Sequence, residues 1–254
     1  MIDTHAHIYV EAFDNDRDAV IERAKATGVE KIILPGIDSC TFGAMLSLEE
    51  KYPGYCYAAI GLHPTSVKAD YQEELDLVEF ELKRRAYIAI GEIGIDLYWD
   101  QTFIKEQILA FQQQLKWAVQ YNKPVIIHVR NSFRETMQAL ELFRNSGLKG
   151  VFHSFCGTLE EAIEIIEFGN FLIGINGIVT FRNSTLSEVV RKVDLRYIVL
   201  ETDAPYLTPV PYRGKRNESA YLSYTAHHIA ALQSTTYDAV IKQTTKNAIN
   251  LFNF

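Results

Sequence analysis

The chain has 254 residues, of which 48% are apolar and 22% charged, and its formal net charge is −7. This composition supplies material for a large core and excludes a disordered or low-complexity chain. The acidic balance also disfavours a protein that coats DNA through lysine–phosphate contacts, because such proteins are usually basic.

No segment of the sequence is typical of a membrane or export signal. Met1–His5 lacks a basic stretch followed by an apolar one, and no apolar run approaches the roughly 20 residues of a membrane helix. The 3 cysteines are widely spaced and form no CxxC pair, which favours a reducing compartment over a disulfide framework or a thiolate zinc site. We therefore expect a cytoplasmic protein without an obligate protein partner.

Short apolar runs rich in β-branched residues predict eight β-strands. They are Met1–His5, Glu30–Pro35, Tyr55–Gly61, Tyr87–Glu92, Pro124–Val129, Gly150–His153, Phe171–Ile175 and Arg196–Glu201. Several runs, such as the one that contains Ile126, are apolar at consecutive positions. This pattern is typical of parallel strands that are covered on both faces.

Amphipathic segments between these runs predict helices. They are Asp14–Ala26, Thr41–Lys51, Tyr71–Arg84, Phe103–Tyr121, Ser132–Asn145, Leu159–Phe168, Ser184–Val193, Tyr221–Gln233 and Asp238–Leu251. Phe103–Tyr121 has the clearest pattern, because its apolar residues recur at spacings of three and four. Strands that alternate with helices throughout a chain of this length predict an α/β fold, a (β/α)8 TIM barrel forming a single domain over residues 1–254.

Histidines and carboxylates end five of the predicted strands. They are His5 and His7 on the first strand, Glu92 on the fourth, His128 on the fifth, His153 on the sixth, and Glu201 and Asp203 on the eighth. The carboxyl ends of all strands in a parallel barrel share one rim, so these side chains should converge. Imidazoles and carboxylates without thiolates suit Mg, Mn or Zn.

Each candidate also has an ordinary structural explanation. His5 and His7 could be an exposed pair, Glu92 could form a rim salt bridge, and His128 could be a hydrogen-bonded core residue. Their coincidence on one rim favours a metal site. In such a site Glu92 can bridge two ions through its two oxygens, and Asp203 can bind an ion and orient or deprotonate the attacking water.

Other polar residues are candidates for second-layer or substrate contacts. Glu201 either orients a metal ligand or forms an ion pair inside the barrel, and Asp96 either contacts a ligand or substrate or caps a loop. The candidate phosphate contacts are His63, Arg130 and the loop residues Arg213, Lys215 and Arg216. Arginine matches phosphate with its planar fork, and barrels often bind phosphate after strand eight. Rim ion pairs and simple solvation are the alternatives for these cations.

Several segments, in this order, resemble the TatD-like metal-dependent deoxyribonucleases, a branch of the amidohydrolase-type barrels. They are Asp3-Thr4-His5-Ala6-His7, Gly61-Leu62-His63-Pro64, Gly91-Glu92-Ile93-Gly94-Ile95-Asp96, His128-Val129-Arg130, His153-Ser154-Phe155-Cys156-Gly157, Glu201-Thr202-Asp203-Ala204-Pro205-Tyr206-Leu207 and Arg213-Gly214-Lys215-Arg216-Asn217-Glu218. The resemblance covers nearly the whole chain, and its last two segments are highly specific.

The resemblance implies two divalent metal ions. One would be held by His5, His7, Glu92 and Asp203, and the other by Glu92, His128 and His153, with Glu92 bridging. It also implies hydrolysis of phosphodiester bonds in DNA, often exonucleolytic, by a metal-activated water. The chain departs from the family at Asn131, where an acidic residue is common, in the order of Ser154 and Cys156, and at Ser219, where proline is common. These departures concern substrate preference, since none removes a ligand.

Three other functions remain open at this point. The same barrel could carry a metal-dependent esterase or deacylase, acting for example on aminoacyl-tRNA, or a small-phosphate hydrolase, because rim loops set the substrate. A nucleic-acid-binding or metal-storage protein is a second possibility, and a cysteine hydrolase using Cys156 is a third.

Overall fold

A computed structural model describes all residues, 1–254. Eight parallel strands form one sheet in the order β1 to β8. They are β1 (Ile2–Asp3), β2 (Lys31–Pro35), β3 (Cys56–Ile60), β4 (Ala89–Asp96), β5 (Val125–Arg130), β6 (Gly150–Phe152), β7 (Phe171–Ile175) and β8 (Ile198–Leu200). Every predicted strand is present, and the (β/α)8 barrel is confirmed.

Nine α-helices connect and cover the strands. They are α1 (Arg17–Ala26), α2 (Ser39–Lys51), α3 (Tyr71–Arg84), α4 (Ile104–Gln120), α5 (Phe133–Glu141), α6 (Leu159–Phe168), α7 (Leu186–Lys192), α8 (Leu222–Leu232) and α9 (Tyr237–Phe252). The predicted bounds agree within three residues, except that α5 ends at Glu141 rather than Asn145. None of these helices has the length and apolar character needed to cross a lipid bilayer.

The segments that follow β1 and β8 close the barrel. Thr4 N–H donates to the carbonyl of Leu200, and Asp203 N–H donates to the carbonyl of His5, at 3.0 and 2.9 Å. The buried Asp3 carboxylate accepts hydrogen bonds from the backbone N–H and the hydroxyl of Thr202, at 2.9 and 2.6 Å. This seam therefore fixes the two segments that carry His5, His7 and Asp203.

The barrel interior has its own apolar core. A smaller apolar cluster contains one residue from each of seven strands. The residues next to these along the strands belong to a larger cluster that faces the helices. Because side chains alternate along a strand, the smaller cluster lies inside the barrel. Ala248, Leu251 and Phe252 of α9 join it, so α9 packs against the residues that fill the barrel.

Strand β4 is longer than predicted. It continues through Glu92 to Asp96, with a register shift against β5 between Ile90 and Ile93, so the expectation that the strand ends at Glu92 is wrong. Gly94 has a φ of 150°, and a Cβ there would lie 2.0 Å from the carbonyl oxygen of His128. Gly94, which lies beyond the predicted end of the strand, allows β4 to remain paired with β5.

Candidate metal centre

The six predicted metal ligands converge at the carboxyl end of the barrel. His5 and His7 follow β1, Glu92 lies in β4, His128 lies in β5, His153 follows β6, and Asp203 follows β8. Four of them, His5, His7, Glu92 and His153, are buried, whereas His128 and Asp203 expose 15% and 14% of their side chains. Without the barrel closure, the first and last of these residues would not meet.

Glu92 stands at the middle of this group, and its two carboxylate oxygens face different partners. Oε2 lies 3.1 Å from His5 Nε2 and 3.5 Å from His7 Nε2. Oε1 lies 2.8 Å from His128 Nδ1 and 2.7 Å from His153 Nε2. A carboxylate that divides its oxygens between two sets of imidazoles is suited to bridge two ions.

The first donor set consists of His5, His7, Glu92 and Asp203. The two Nε2 atoms lie 3.1 Å apart, and each lies 3.7 Å from Asp203 Oδ1. Ligand atoms bound to one ion at about 2.1 Å are separated by roughly 3.0–3.4 Å. The four atoms therefore fit a single divalent ion with small adjustments.

The second donor set consists of Glu92, His128 and His153. His128 Nδ1 and His153 Nε2 lie 3.5 Å apart, and both contact Glu92 Oε1. His63 also reaches this oxygen, at 3.1 Å from its Nε2. Geometry alone therefore leaves two choices, His153 and His63, for the ligand that joins Glu92 and His128.

In His7 and His128, the ring nitrogen that faces away from the centre forms a hydrogen bond, and this bond decides which ring nitrogen carries the proton. The Tyr9 hydroxyl donates to the carbonyl of Pro35, so it accepts from His7 Nδ1–H at 3.0 Å. Asp96 Oδ2 accepts from His128 Nε2–H at 2.9 Å. The unprotonated nitrogens of His7 and His128 then face the centre, as metal ligation requires.

His63 differs from His7 and His128 because its protonated nitrogen faces the centre. Its Nδ1 accepts the backbone N–H of Thr65 at 3.1 Å, so the proton lies on Nε2, which donates to Glu92 Oε1. Burial, the largest effect, lowers the pKa of His63, which keeps the ring neutral. His63 is therefore a hydrogen-bond donor at this centre rather than a ligand, consistent with its prediction as a substrate contact.

The charges of the centre are strongly interdependent. Burial raises the pKa of Glu92, but the surrounding histidines, His153 above all, outweigh it and hold the pKa well below its usual range. Burial opposes protonation of His153, yet Glu92 and Glu201 hold its pKa well above the ordinary value. Burial also raises the pKa of Asp203 to about 6. A buried carboxylate that attracts this much positive charge is a natural cation site.

Glu201 supports the second donor set from inside the barrel. It is fully buried, and its Oε1 accepts the backbone N–H of Ser154 at 2.5 Å and lies 3.7 Å from His153 Nδ1. Of the two interpretations that the sequence left open, these contacts favour a role in orienting His153, because the structure gives Glu201 no Arg or Lys partner.

The centre opens into a cavity of about 650 Å³. Besides the predicted ligands His7, Glu92, His128, His153 and Asp203, its walls include Ile37, His63, Thr65, Asp96, Trp99, Val129, Arg130, Ser154, Cys156, Ile178, Tyr206 and Leu207. Two predicted substrate contacts, His63 and Arg130, are thus beside the metal ligands.

The three cations of the loop after β8 do not line this cavity. Arg216 forms an ion pair with Asp16 at 2.7 Å and donates to the carbonyl of Ala12 at 2.6 Å. The guanidinium of Arg213 lies 3.7 Å from the centre of the Phe181 ring, and Lys215 Nζ lies 5.3 Å from that of Tyr212. The structure therefore brings none of the three to the metal ligands. Arg216 links its loop to the segment before α1, and its contact with phosphate stays a prediction.

Comparison with known proteins agrees with this geometry. The family model described as TatD related DNase matches residues 2–253. The chain belongs to the TatD family. It is 38% identical over 253 residues to the uncharacterized metal-dependent hydrolase YabD of Bacillus subtilis, covering 99% of this chain and 98% of that protein. The crystal structure of the TatD homologue YjjV from Escherichia coli superposes with a TM-score of 0.93 at 33% identity, covering 100% and 98% of the two chains. This TatD-family chain is a metal-dependent hydrolase.

Sequence reasoning missed parts of the TatD-type centre. The hydrogen bond from His7 to Tyr9 and the contact of Asp3 with the segment after β8 were not predicted. Tyr9 could have been suspected, because it continues the alternate-residue spacing of His5 and His7. Asp3 gave no comparable signal, since its partner Thr202 lies 199 residues away.

Proposed function

We propose that this TatD-family hydrolase binds two divalent ions, Mg, Mn or Zn, and cleaves phosphodiester bonds of DNA from a chain end. The division of the Glu92 oxygens between two imidazole sets carries the two-ion part of the proposal. The description of the matching family supports DNA as the substrate.

The residues provide the parts that hydrolysis of a phosphate ester needs. Ions held here would supply positive charge for the phosphate and lower the pKa of water from about 15.7 toward roughly 7. The attacking water must lose a proton, and Asp203 is placed to accept it, since its carboxylate is only partly buried and lines the cavity. The departing ester oxygen takes up a proton as the new alcohol.

Two side chains, the neutral His63 and the cationic Arg130, can donate hydrogen bonds to the phosphate oxygens. His63 carries its proton on Nε2 and points to the centre. The Arg130 guanidinium lines the same cavity and offers a planar fork that matches a phosphate. Arg130 also adds positive charge at the place where an anionic substrate would bind, which offsets the acidic net charge of the protein.

The size of the site favours an exonuclease. A cavity of about 650 Å³ has the size of a small-molecule site rather than of a groove that accepts a continuous duplex. A chain end can enter such a cavity without bending the nucleic acid.

The principal alternatives differ in the bond that is cut. An esterase or deacylase acting on aminoacyl-tRNA, or a small-phosphate hydrolase, would use the same ions. A cysteine hydrolase fits less well, because burial raises the pKa of the Cys156 thiol, whereas an activated cysteine has a lowered pKa. Unchanged activity of Cys156→Ala would eliminate it.

The test is hydrolysis of 5′- and 3′-end-labelled single-stranded DNA with Mg²⁺, Mn²⁺, Zn²⁺ or EDTA. We expect metal-dependent cleavage that falls at least about 100-fold in Glu92→Gln and in Asp203→Asn, the size of effect that loss of proton transfer alone can produce. Asparagine is chosen because position 203 has a φ of 56°, which asparagine tolerates. Folding is checked by circular dichroism. Cleavage of an aminoacyl ester but not of DNA by the same metal-loaded protein would replace this proposal.

A further inference from the structure

The loop between β4 and α4 exposes two adjacent aromatic residues beside the metal centre. Tyr98 and Trp99 are 52% and 68% exposed, and their rings meet nearly at right angles with centroids 4.9 Å apart. Trp99 lines the cavity that contains Glu92 and Arg130. Large apolar side chains exposed together at the rim of a site indicate a binding surface.

Arg130 packs against this aromatic pair. Its guanidinium carbon lies 3.9 Å from the centre of the Tyr98 ring and 5.2 Å from that of Trp99. The guanidinium has no carboxylate partner, so its position is set by stacking and its N–H groups remain available to an anion. The exposed Trp99 ring and a planar cation with free N–H groups therefore occupy the same side of the cavity.

One carboxylate joins the aromatic pair to the metal ligands. Asp96 Oδ1 accepts the backbone N–H groups of Tyr98 and Trp99 at 2.9 and 3.2 Å, and Oδ2 accepts His128 Nε2–H at 2.9 Å. The loop is thus held at a fixed place relative to a ligand of the second donor set. Ordering the aromatic pair in advance lowers the entropic cost of binding a flat ligand.

We propose that Trp99 stacks on an unpaired nucleobase of the substrate while Arg130, held against the Tyr98 ring, binds a neighbouring phosphate. This inference rests on the proposed nuclease function and names the residues that would contact its substrate. Bases within a duplex are already stacked on their neighbours, whereas an unpaired base presents a free π-face. Stacking of this kind tolerates any sequence and contributes roughly 1–3 kcal/mol per base, or about 5- to 150-fold in affinity.

The first experiment measures binding through tryptophan fluorescence. The chain has 2 tryptophans, and Trp117 is 4% exposed, so quenching by an added ligand reports mainly on Trp99. We expect quenching of the wild-type protein by oligothymidylate in EDTA, where no turnover occurs. A blunt duplex and an abasic oligonucleotide of equal length should quench much less. Equal quenching by the abasic strand would overturn the stacking.

The second experiment measures kcat/KM with metal-loaded enzyme and labelled oligonucleotides. Trp99→Ala should lose about 5- to 100-fold on single strands, and Trp99→Phe should retain most of the activity. Phe80→Ala is the matched control, because Phe80 is also 59% exposed and lies near an arginine, Arg84, but belongs to α3. Replacing the bases at the cleaved end with abasic sites should reduce the wild-type rate similarly and should add little to Trp99→Ala.

The outcomes separate the two proposals. If the wild type cleaves DNA but Trp99→Ala and abasic ends have no effect, the nuclease stands and the stacking surface is refuted. Equal rates on blunt duplex and single strand would also refute it. If no nucleic acid is cleaved with any metal, while single strands still quench in a base-dependent manner, the nuclease is refuted and the stacking surface stands. Neither cleavage nor quenching would refute both.

Discussion

At the scale of single residues, the role of each histidine follows from the nitrogen that faces away from the centre. His7 and His128 donate outward to Tyr9 and Asp96, which leaves a bare nitrogen for a cation. His63 accepts outward from Thr65, which leaves it a donor. The sequence predicted all three as site residues. It could assign their chemistry only through the family resemblance, because the deciding hydrogen bonds depend on tertiary structure.

This logic gives a prediction for Asp96→Asn. The amide oxygen can still accept the N–H groups of Tyr98 and Trp99, but its NH₂ group then faces His128 Nε2 and requires that nitrogen to accept. The proton moves to His128 Nδ1, which can no longer bind an ion. We expect the number of bound Mn²⁺ ions to fall from two to one per chain in calorimetric titration. The matched control Asp100→Asn, in the same loop, should keep two ions, and two tightly bound ions in Asp96→Asn would contradict the assignment.

At the scale of secondary-structure elements, the apolar runs predicted all eight strands, and the largest error was in β4. The segment Gly91–Asp96 contains two glycines and two carboxylates, which weakened the strand pattern after Glu92. Backbone pairing with β5 continues there because Gly94 permits a close approach that any side chain would block. Gly94 pairs with His128, which lies 34 residues further along the chain. A contact between residues this far apart leaves no signal in the local sequence.

The β4 pairing makes Gly94→Ala strongly destabilising. A Cβ would overlap the backbone carbonyl of His128 and impose the φ of 150° on a residue that avoids it. We expect a loss of at least about 2 kcal/mol in the free energy of unfolding by urea titration. Gly43→Ala in α2, where a Cβ meets nothing within 4 Å, should be neutral or stabilising by up to about 1 kcal/mol. Equal stability of the two variants would contradict this account of β4.

At the scale of the whole molecule, the barrel topology made the ligand set predictable from one sequence. Parallel strands end on one rim, so residues as distant as His5 and Asp203 could be placed together without a contact map. The same reasoning also predicted Arg213, Lys215 and Arg216 as phosphate contacts, but their loop brings none of the three to the wall of the cavity. Arg216 instead pairs with Asp16, and nothing in the local sequence distinguishes that partner from a phosphate.

Ion binding should stabilise the whole barrel, because the predicted ligands lie in, or just after, five different strands and are dispersed on unfolding. Free Mn²⁺ at about 100 times its dissociation constant should add about 2.7 kcal/mol, or roughly 5–10 °C in Tm for a chain of this size. The rise should be measured by calorimetry against EDTA and should be greatly reduced in Glu92→Gln. An equal rise in that variant would place the stabilising ion elsewhere.

The central claim is that two ions bridged by Glu92 carry out hydrolysis of DNA. The most direct measurement is the rate of cleavage of end-labelled single-stranded DNA as Mn²⁺ is titrated into metal-free protein, with bound ions counted in the same samples. The account predicts little cleavage up to one ion per chain and a steep rise as the second ion binds. Full activity with one ion per chain, or no DNA cleavage with both sites filled, would contradict it.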